Sequence, residues 1–502
     1  MALSSSQDAR SDQPTLPSER IAGTILPKVL TTFDMVAIFV GIVLFITNAA
    51  LMSGAGPAAY GYWVLGFLTF LLPCAFVTGQ LGVLFPGEGS IYLWTQKALG
   101  PFAGFCAGFC AWFPGILGLV ATTAGAIPFI QYLFPEALSH PWQQGLAIVG
   151  MIAFSFGLCL LRLRVTQTVI NVVFVGYGGA ILLLALAGVV ALVRGHAASV
   201  DYSAQNWWPH PSTFTFYGTV VLGLLGVEVP LNLGVEIKHA HAITRYLVWG
   251  SVVIMLAYLL GTFGVMTAVP VTAQGNLSSV AQGIALGFGG SIGHALGVLA
   301  TIIYISFFLF TTVVFNYSFA RLLFVSGLDQ QLPTIVSKVN RNKVPWVALL
   351  IQSLFASFIA ILVFICAPYF LTAHAPGDLA TMVYDIIQAV LVVIWCLSLV
   401  FLFVDVILIR RKFRDSFARA RLAPDWVFFC CAVVGSLASL IGIGVTFTNP
   451  WTTLLSTPSW DGWVAVMAAS SLAIGGMFYL VRQKRTTSKK SDEEVLAQVV
   501  QE

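Results

Sequence analysis

The sequence predicts an all-α membrane protein of twelve transmembrane helices, and three observations carry that expectation. Only 9% of the 502 residues are charged while 58% are hydrophobic, against about a quarter charged in soluble domains. Long apolar runs alternate with short polar joints along nearly the whole chain. The basic residues concentrate in alternate joints, the signature of a multi-pass topology.

Spans are expected near 31–50, 62–84, 103–132, 143–161, 166–193, 212–235, 245–269, 293–319, 345–367, 379–409, 425–447 and 462–481. Each is long enough as helix for a hydrocarbon core that needs about 20 residues. Helix is dictated because lipid offers no partner to backbone N–H and C=O groups. The period-two alternation of a barrel is missing from these runs. With the N-terminus inside, 23 of the 24 Lys and Arg residues fall on the inner side, and Arg194 alone falls outside. That asymmetry supports an even number of spans with both termini cytoplasmic, and the expected location is the cell membrane.

The same placement explains the net charge of +4 as cytoplasmic anchoring, so no nucleic-acid partner is expected. All eight cysteines lie in or beside apolar runs and read as packing residues. Among the seven His, no spacing suits a metal. No Gly-Lys-Ser/Thr phosphate loop is present, which argues against an ATP-driven pump. Nothing pairs a nucleophile with a base, so neither an enzyme nor a cofactor is expected. Residues 1–30 and 483–502 read as cytoplasmic tails, the latter with a short helix at Ser491–Val500 that is more simply a solvated segment than a plug. Residues 31–482 form the membrane domain.

Two spans carry interruptions. Span 1 meets Thr47 and Asn48 and exits through Ser53-Gly-Ala-Gly-Pro57. Span 6 holds Gly223, Gly226, Glu228, Pro230, Asn232 and Gly234 within twelve residues. Such a stretch is poorly suited to a continuous helix. Breaks at matching places in two halves point to a midplane binding site in an inverted-repeat transporter. Repeats at about 31–193 and 212–410 follow, with helices 11 and 12 (425–482) appended. Exposed amides at a half-helix N-terminus suit a carboxylate, and the opposite end suits an ammonium or a coupling cation.

Three motifs carry a family resemblance. Pro86-Gly-Glu-Gly-Ser-Ile-Tyr92 with Leu99-Gly-Pro-Phe-Ala-Gly-Phe105, Gly226-Val-Glu228 with Glu236, and Phe319-Ala-Arg321-Leu-Leu-Phe followed by Gly327-Leu-Asp329 and Leu332-Pro333 occur in this order. Together they resemble the amino acid–polyamine–organocation permeases, and loosely their glutamate/γ-aminobutyrate antiporter branch. The resemblance implies a leucine-transporter-like fold of five plus five helices, alternating access, and amino acids or amines as cargo. The sequence departs from the family where span 1 unwinds: Phe45-Ile46-Thr47 stands in place of a glycine-rich element. Leu222 stands where an aromatic gate is frequent, and Tyr177 stands where some proton-coupled members carry a lysine.

Glu228 is the sharpest candidate, because an ionised carboxylate in mid-span costs about 2.5–3.5 kcal/mol even on lenient scales. It reads as a protonatable coupling group, a partner for a cationic cargo, or a structural acid. Phe45, Ile46, Thr47, Asn48, Leu222, Gly223 and Gly226 are expected to surround the cargo. Trp112, Tyr304 and Asp385 are further candidates. Tyr177, Thr311 and Thr312 are candidates for ion coupling, the two threonines for sodium if they meet carbonyls of span 1, although such hydroxyls often bond their own helix. Asp34 is expected to cap span 1, Asp405 to pair with Arg410 or Arg411, and Asn232 to bridge the break in span 6. The expected partners are thus a small amino acid or amine, the bilayer, and protons or sodium. The alternatives are a transporter of another fold or, more remotely, a membrane sensor or enzyme.

Overall fold

The computed structural model describes residues 15–198, 200–370, 376–448, 450–451, 455–485 and 491–500. Eleven of its helices are long and apolar enough to cross a membrane, and twelve once the bent pair Thr32–Val43 and Thr47–Ala55 counts as one span. The chain is therefore a multi-pass membrane protein. Spans 2 to 5 are Ala58–Leu84, Pro101–Leu133, Pro141–Cys159 and Leu163–Val193. Span 6 is Phe216–Glu236, and span 7 is His241–Ala268. Spans 8 to 12 are Gly290–Leu328, Trp346–Cys366, Tyr384–Lys412, Asp425–Thr448 and Thr457–Leu480.

Spans 3 and 8 pack at the centre through small residues on one side and phenylalanines on the other. A Cβ at Gly115, Gly118 or Gly125 would overlap the ring of Phe319, Phe315 or Phe308 respectively. In lipid, where burial gives helices little reason to associate, such close approach supplies the dispersion energy that holds them.

Both expected breaks are present. Span 1 leaves the helix at Leu44 (φ −89°, ψ 84°) and resumes at Thr47, with a 42° bend. The unwound residues are Leu44, Phe45 and Ile46, so the polar and Gly/Pro signals at 47–57 lie just beyond the break. In span 6 an α-helix runs Phe216–Leu224, and a 3₁₀ helix follows at Val229–Glu236. Gly226 between them has φ +109°. A side chain there would also strike Ile42 and the Trp395 indole, so glycine is required twice over.

The two chain ends meet on one face of the bundle, the tail face. The N-terminal segment departs from the loose tail expected there: Pro17–Ile25 is a helix that buries Ile21, Ala22 and Ile25. The C-terminal helix Asp492–Val500 buries Val495 and Val499 and is docked, which corrects the expectation of a solvated segment. Arg20 pairs with Asp492 at 2.7 Å, and Thr334 donates to Gln498 at 2.7 Å.

Beneath these helices the tail face is sealed. Backbone bonds from Val29 and Leu30 to Glu236 (2.8 and 2.9 Å) and from Lys238 to Leu30 (2.9 Å) tie the entry of span 1 to the exit of span 6. Arg321 of span 8 forks onto Glu236, Nε donating to Oε2 at 3.2 Å and Nη2 to Oε1 at 3.0 Å, and pairs with Glu88 of the 2–3 joint at 3.2 Å. Glu88 also accepts the Val235 N–H at 3.0 Å. All three charged side chains are buried. Burial and the nearby Glu236 push the Glu88 carboxyl upward, against the pull of Arg321. Asn232, expected to bridge its own break, instead accepts from Ser90 at 2.6 Å.

Asp329 fastens the N-terminal helix. It accepts from the Ser18 N–H and hydroxyl at 2.8 and 3.0 Å and from Tyr92 at 3.0 Å. Asp34 is not the cap of span 1. Thr31 is, and Asp34 closes the capping box three residues on while pairing with Arg164 at 2.9 Å. Asp405 meets Thr95 at 2.5 Å in place of the arginines, because Arg410 reaches Asp425.

Replacing Arg321 with alanine strands two buried carboxylates and is expected to lower stability by about 3–5 kcal/mol, read as a fall in Tm in detergent. Arg321→Lys, without the fork, is expected to recover only part of the loss. Burial raises the Asp329 carboxyl from 3.8 to about 6, so the docked state holds the proton more tightly than an undocked one. Docking of the N-terminal helix is therefore expected to be strongest in acid, to weaken as pH rises from about 4 to about 6, and to level off above. Spin labels at Gly23 and Ile335 would report it, and Asp329→Asn is expected to flatten the profile.

Candidate functional site

A small cavity lies where the two breaks face each other. Span 1 contributes Ile42, Phe45, Thr47 and Asn48, and span 6 contributes Leu222 and Leu225. Gly118 and Thr122 of span 3, Phe308 and Phe315 of span 8, and Tyr384, Gln388 and Trp395 of span 10 complete most of the wall. Its volume is about 40 Å³, far below the ~300–1,000 Å³ of ligand pockets. In this conformation it has room for water only.

The unwound backbone of span 1 finds partners in two tyrosines. Tyr177 of span 5 donates to the Leu44 carbonyl at 2.9 Å and accepts the Ile46 N–H at 2.8 Å. Its ring stacks on Phe307, with centroids 3.6 Å apart and planes 7° from parallel. Tyr258 of span 7 accepts the Phe45 N–H at 3.2 Å. Its hydroxyl also lies 2.9 Å from both the Val43 carbonyl in span 1 and the Gly223 carbonyl in span 6. Since one hydroxyl carries one proton, Tyr258 donates to one break or the other at any instant. Trp63 holds its ring in a stack at 4.0 Å.

Of the residues singled out by sequence, Phe45, Thr47, Asn48 and Leu222 line the cavity. Ile46 points at Gly261 of span 7, and Gly223 gives its carbonyl to Tyr258. Glu228 stands behind Trp395, whose indole N–H donates to Oε1 at 2.7 Å. Its Oε2 is buried without a hydrogen-bond partner. Asp385 follows the lining residue Tyr384 but is not itself in the wall. Trp112 turns to span 9, donating to Gln352 at 3.0 Å. Tyr304 is buried with its hydroxyl unbonded, its ring 6.0 Å from Tyr177. Thr312 bonds back to the Phe308 carbonyl at 2.9 Å and meets Thr122 at 2.9 Å. Thr311 is buried beside it.

Several wall residues escape a reading of the sequence. Tyr384 and Gln388 bond to each other at 3.1 Å, and their i, i+4 spacing is the signal that marks them. Trp395 and Tyr258 carry no such signal, since an aromatic in a membrane span is ordinarily packing. Among the described residues no cluster of His, Cys, Asp or Glu has the form of a metal site.

Tyr177→Phe removes the hydroxyl that serves Leu44 and Ile46 together. It is expected to cost about 1–3 kcal/mol, the penalty for stranding buried polar groups, with a matching loss of Tm and of transport. Phe307→Leu at the stacked neighbour is expected to cost less, because the hydrogen bonds survive.

Residues 30–478 match the family described as amino acid permease. An uncharacterized transporter of Legionella pneumophila is 24% identical over 71% of this chain and 79% of its own length. A probable agmatine/putrescine antiporter of Lactococcus lactis is 24% identical over 64% of this chain and 69% of its own. The gamma-aminobutyric acid permease of Escherichia coli is 24% identical over 75% and 81% respectively. With nine-tenths of its length inside the match and the broken first and sixth spans in place, the chain belongs to the amino acid permease family, within the amino acid–polyamine–organocation superfamily, and is a membrane transporter for amino acids or amines.

Proposed function

We propose that the chain moves a small zwitterionic or cationic amino acid or amine by alternating access, as an exchanger or an ion-coupled symporter, across the cell membrane with the tail face in the cytoplasm. The observation that carries this reading is the meeting of two broken spans at one cavity whose tail side is sealed. Irregular backbone at membrane depth is tolerated only where it lines a cavity or is otherwise satisfied, and here both conditions apply. Cargo enters from the face opposite the tails, the wall widens around it, and release requires the Arg321 cluster and the span 1–span 6 backbone bridge to part.

The wall favours a cargo without excess negative charge. Its polar groups are neutral (Thr47, Asn48, Thr122, Tyr384 and Gln388), and Glu228 sits behind the Trp395 indole. In this reading Glu228 acts through Trp395: a change in its charge alters the hydrogen bond that sets the indole, and the indole sets the floor of the cavity. The bonds of Thr312 to Phe308 and Thr122 weigh against a sodium site there and toward exchange or proton coupling. The tail-face placement follows from the Lys and Arg asymmetry. The one basic residue expected outside, Arg194, bonds the Phe288 carbonyl at the opposite end of span 5.

The test is transport by the purified full-length protein in proteoliposomes, across a panel of amino acids and amines. Saturable uptake is expected, accelerated by internal cargo for exchange or by a proton gradient for symport. Absence of uptake of every amino acid and amine tried would overturn the reading. Glu228→Gln keeps an acceptor for Trp395 and is expected to abolish transport or flatten its pH profile. Unchanged kinetics and pH dependence would remove Glu228 from the cycle.

A further inference from the structure

A second, larger cavity lies on the tail face, apart from the cargo site. Its volume is about 400 Å³, the size of a small-molecule pocket. The N-terminal helix and the segment behind it form one wall, the 2–3 joint another, and the exit of span 6 the third. Four cations line it, Arg20, Lys28, Lys97 and Lys238, against one carboxylate, Glu19.

We propose that this cavity binds a phosphate-bearing anion, either a phospholipid headgroup or a free phosphate compound, and that the bound anion clamps the N-terminal helix onto the sealed tail face. The protein's own acids do not neutralise the site. Glu19 serves Lys97 at 2.9 Å, and Asp492, beyond the lining, serves Arg20 at 2.7 Å. Lys28 and Lys238 have no ion-pair partner among the described residues.

These two lysines are not free to separate at the backbone. The bridge that joins Leu30 to Ile237, with the Val29–Glu236 and Lys238–Leu30 hydrogen bonds, holds their chain segments side by side. Both side chains are exposed and line one cavity, where an anion would meet two cations that no acid of the protein neutralises. Lys97 deepens the same field. Its side chain is 5% exposed and rests 4.8 Å from the Phe85 ring centroid, so its charge is poorly screened by water. The lysine ammonium groups are donors suited to phosphate oxygens, while the Arg20 guanidinium is already held by Asp492 and Thr15. A carboxylate ligand would match the sign, but a phosphate group offers more anionic oxygens to two uncompensated cations at once.

The clamp follows from which elements supply the cations. Arg20 belongs to the N-terminal helix and Lys28 to the segment before span 1, while Lys97 ends the helix Ser90–Leu99 and Lys238 follows span 6. One anion touching them ties together pieces that must part if the tail face is to open.

The experiment is thermal unfolding of the full-length protein and of the double variant Lys28→Gln/Lys238→Gln, with two probes. In detergent, pyrophosphate is titrated against chloride at matched ionic strength. In nanodiscs, phosphatidylcholine is compared with a phosphatidylcholine–phosphatidylglycerol mixture. A saturable rise in Tm of a few degrees is expected for the unmodified chain with at least one probe, and its loss in the double variant. A rise with phosphatidylglycerol alone identifies a headgroup, and a rise with pyrophosphate alone identifies a soluble ligand. No rise with either probe, or a rise of equal size in the double variant, overturns the proposal. Neither result bears on whether the protein transports amino acids.

Discussion

The buried cluster of Arg321, Glu236 and Glu88 is the constraint on which the rest of the structure depends. Each member comes from a different part of the chain: the end of span 8, the end of span 6, and the joint between spans 2 and 3. A lone buried charge is prohibitively costly, so none of the three elements can take its place without the other two. One guanidinium faces two carboxylates, an arrangement that is electrically complete only if a carboxylate is protonated or shared. The Val235 N–H and the fork geometry supply part of the balance. Like buried ion pairs in general, the cluster is better evidence for a specified geometry than for net stability. The geometry it specifies is the closure of one end of the bundle.

That closure explains why the breaks in spans 1 and 6 persist. Their lower halves are pinned, one by the backbone bridge at Leu30 and Ile237 and the other by Glu236. Their upper halves lie against spans 2, 7 and 11. Between the pinned ends the backbone unwinds, and Tyr177 and Tyr258 replace the lost helical hydrogen bonds. The substitution is specific to a hydroxyl on a rigid ring, which donates and accepts at once across two strands of backbone. Tyr258 goes further by standing within 2.9 Å of a carbonyl on each broken span. A single proton is thereby shared between the two broken spans.

This also shows what a sequence can and cannot disclose here. The spans were legible because lipid imposes a length and an apolar composition that few soluble helices share. Span 6 was legible as broken because Gly226, Pro230 and Gly234 are local signals. The break in span 1 falls on Leu44, Phe45 and Ile46, residues of unremarkable helix propensity, and only tertiary partners impose it. The neighbouring Thr47 and Asn48 pointed to the right place for an indirect reason. The three motifs that marked the family were visible as separate strings, yet nothing in their spacing disclosed that Glu88, Glu236 and Arg321 meet. Asp405 and Asn232 found unexpected partners because short polar side chains bond whichever donor packing brings near, and that choice is made in three dimensions. The docked C-terminal helix is a similar case: Val495 and Val499 sit four apart, one short apolar stripe that reads as solvated until a surface is there to receive it.

Trp395 connects the levels of the molecule. One edge of its indole borders the cavity, its N–H holds Glu228, and its face meets Phe319 at 5.4 Å, two residues before Arg321. Gly226 must be glycine partly because this ring lies against it. A widening of the 40 Å³ cavity toward the tail face therefore moves the indole. Movement of the indole disturbs a buried carboxylate whose other oxygen already lacks a partner, and it presses on the span that carries the cluster. Because packed interiors shift between discrete arrangements and do not deform continuously, the cavity wall, the buried Glu228 and the span that carries Arg321 are packed through one side chain, Trp395.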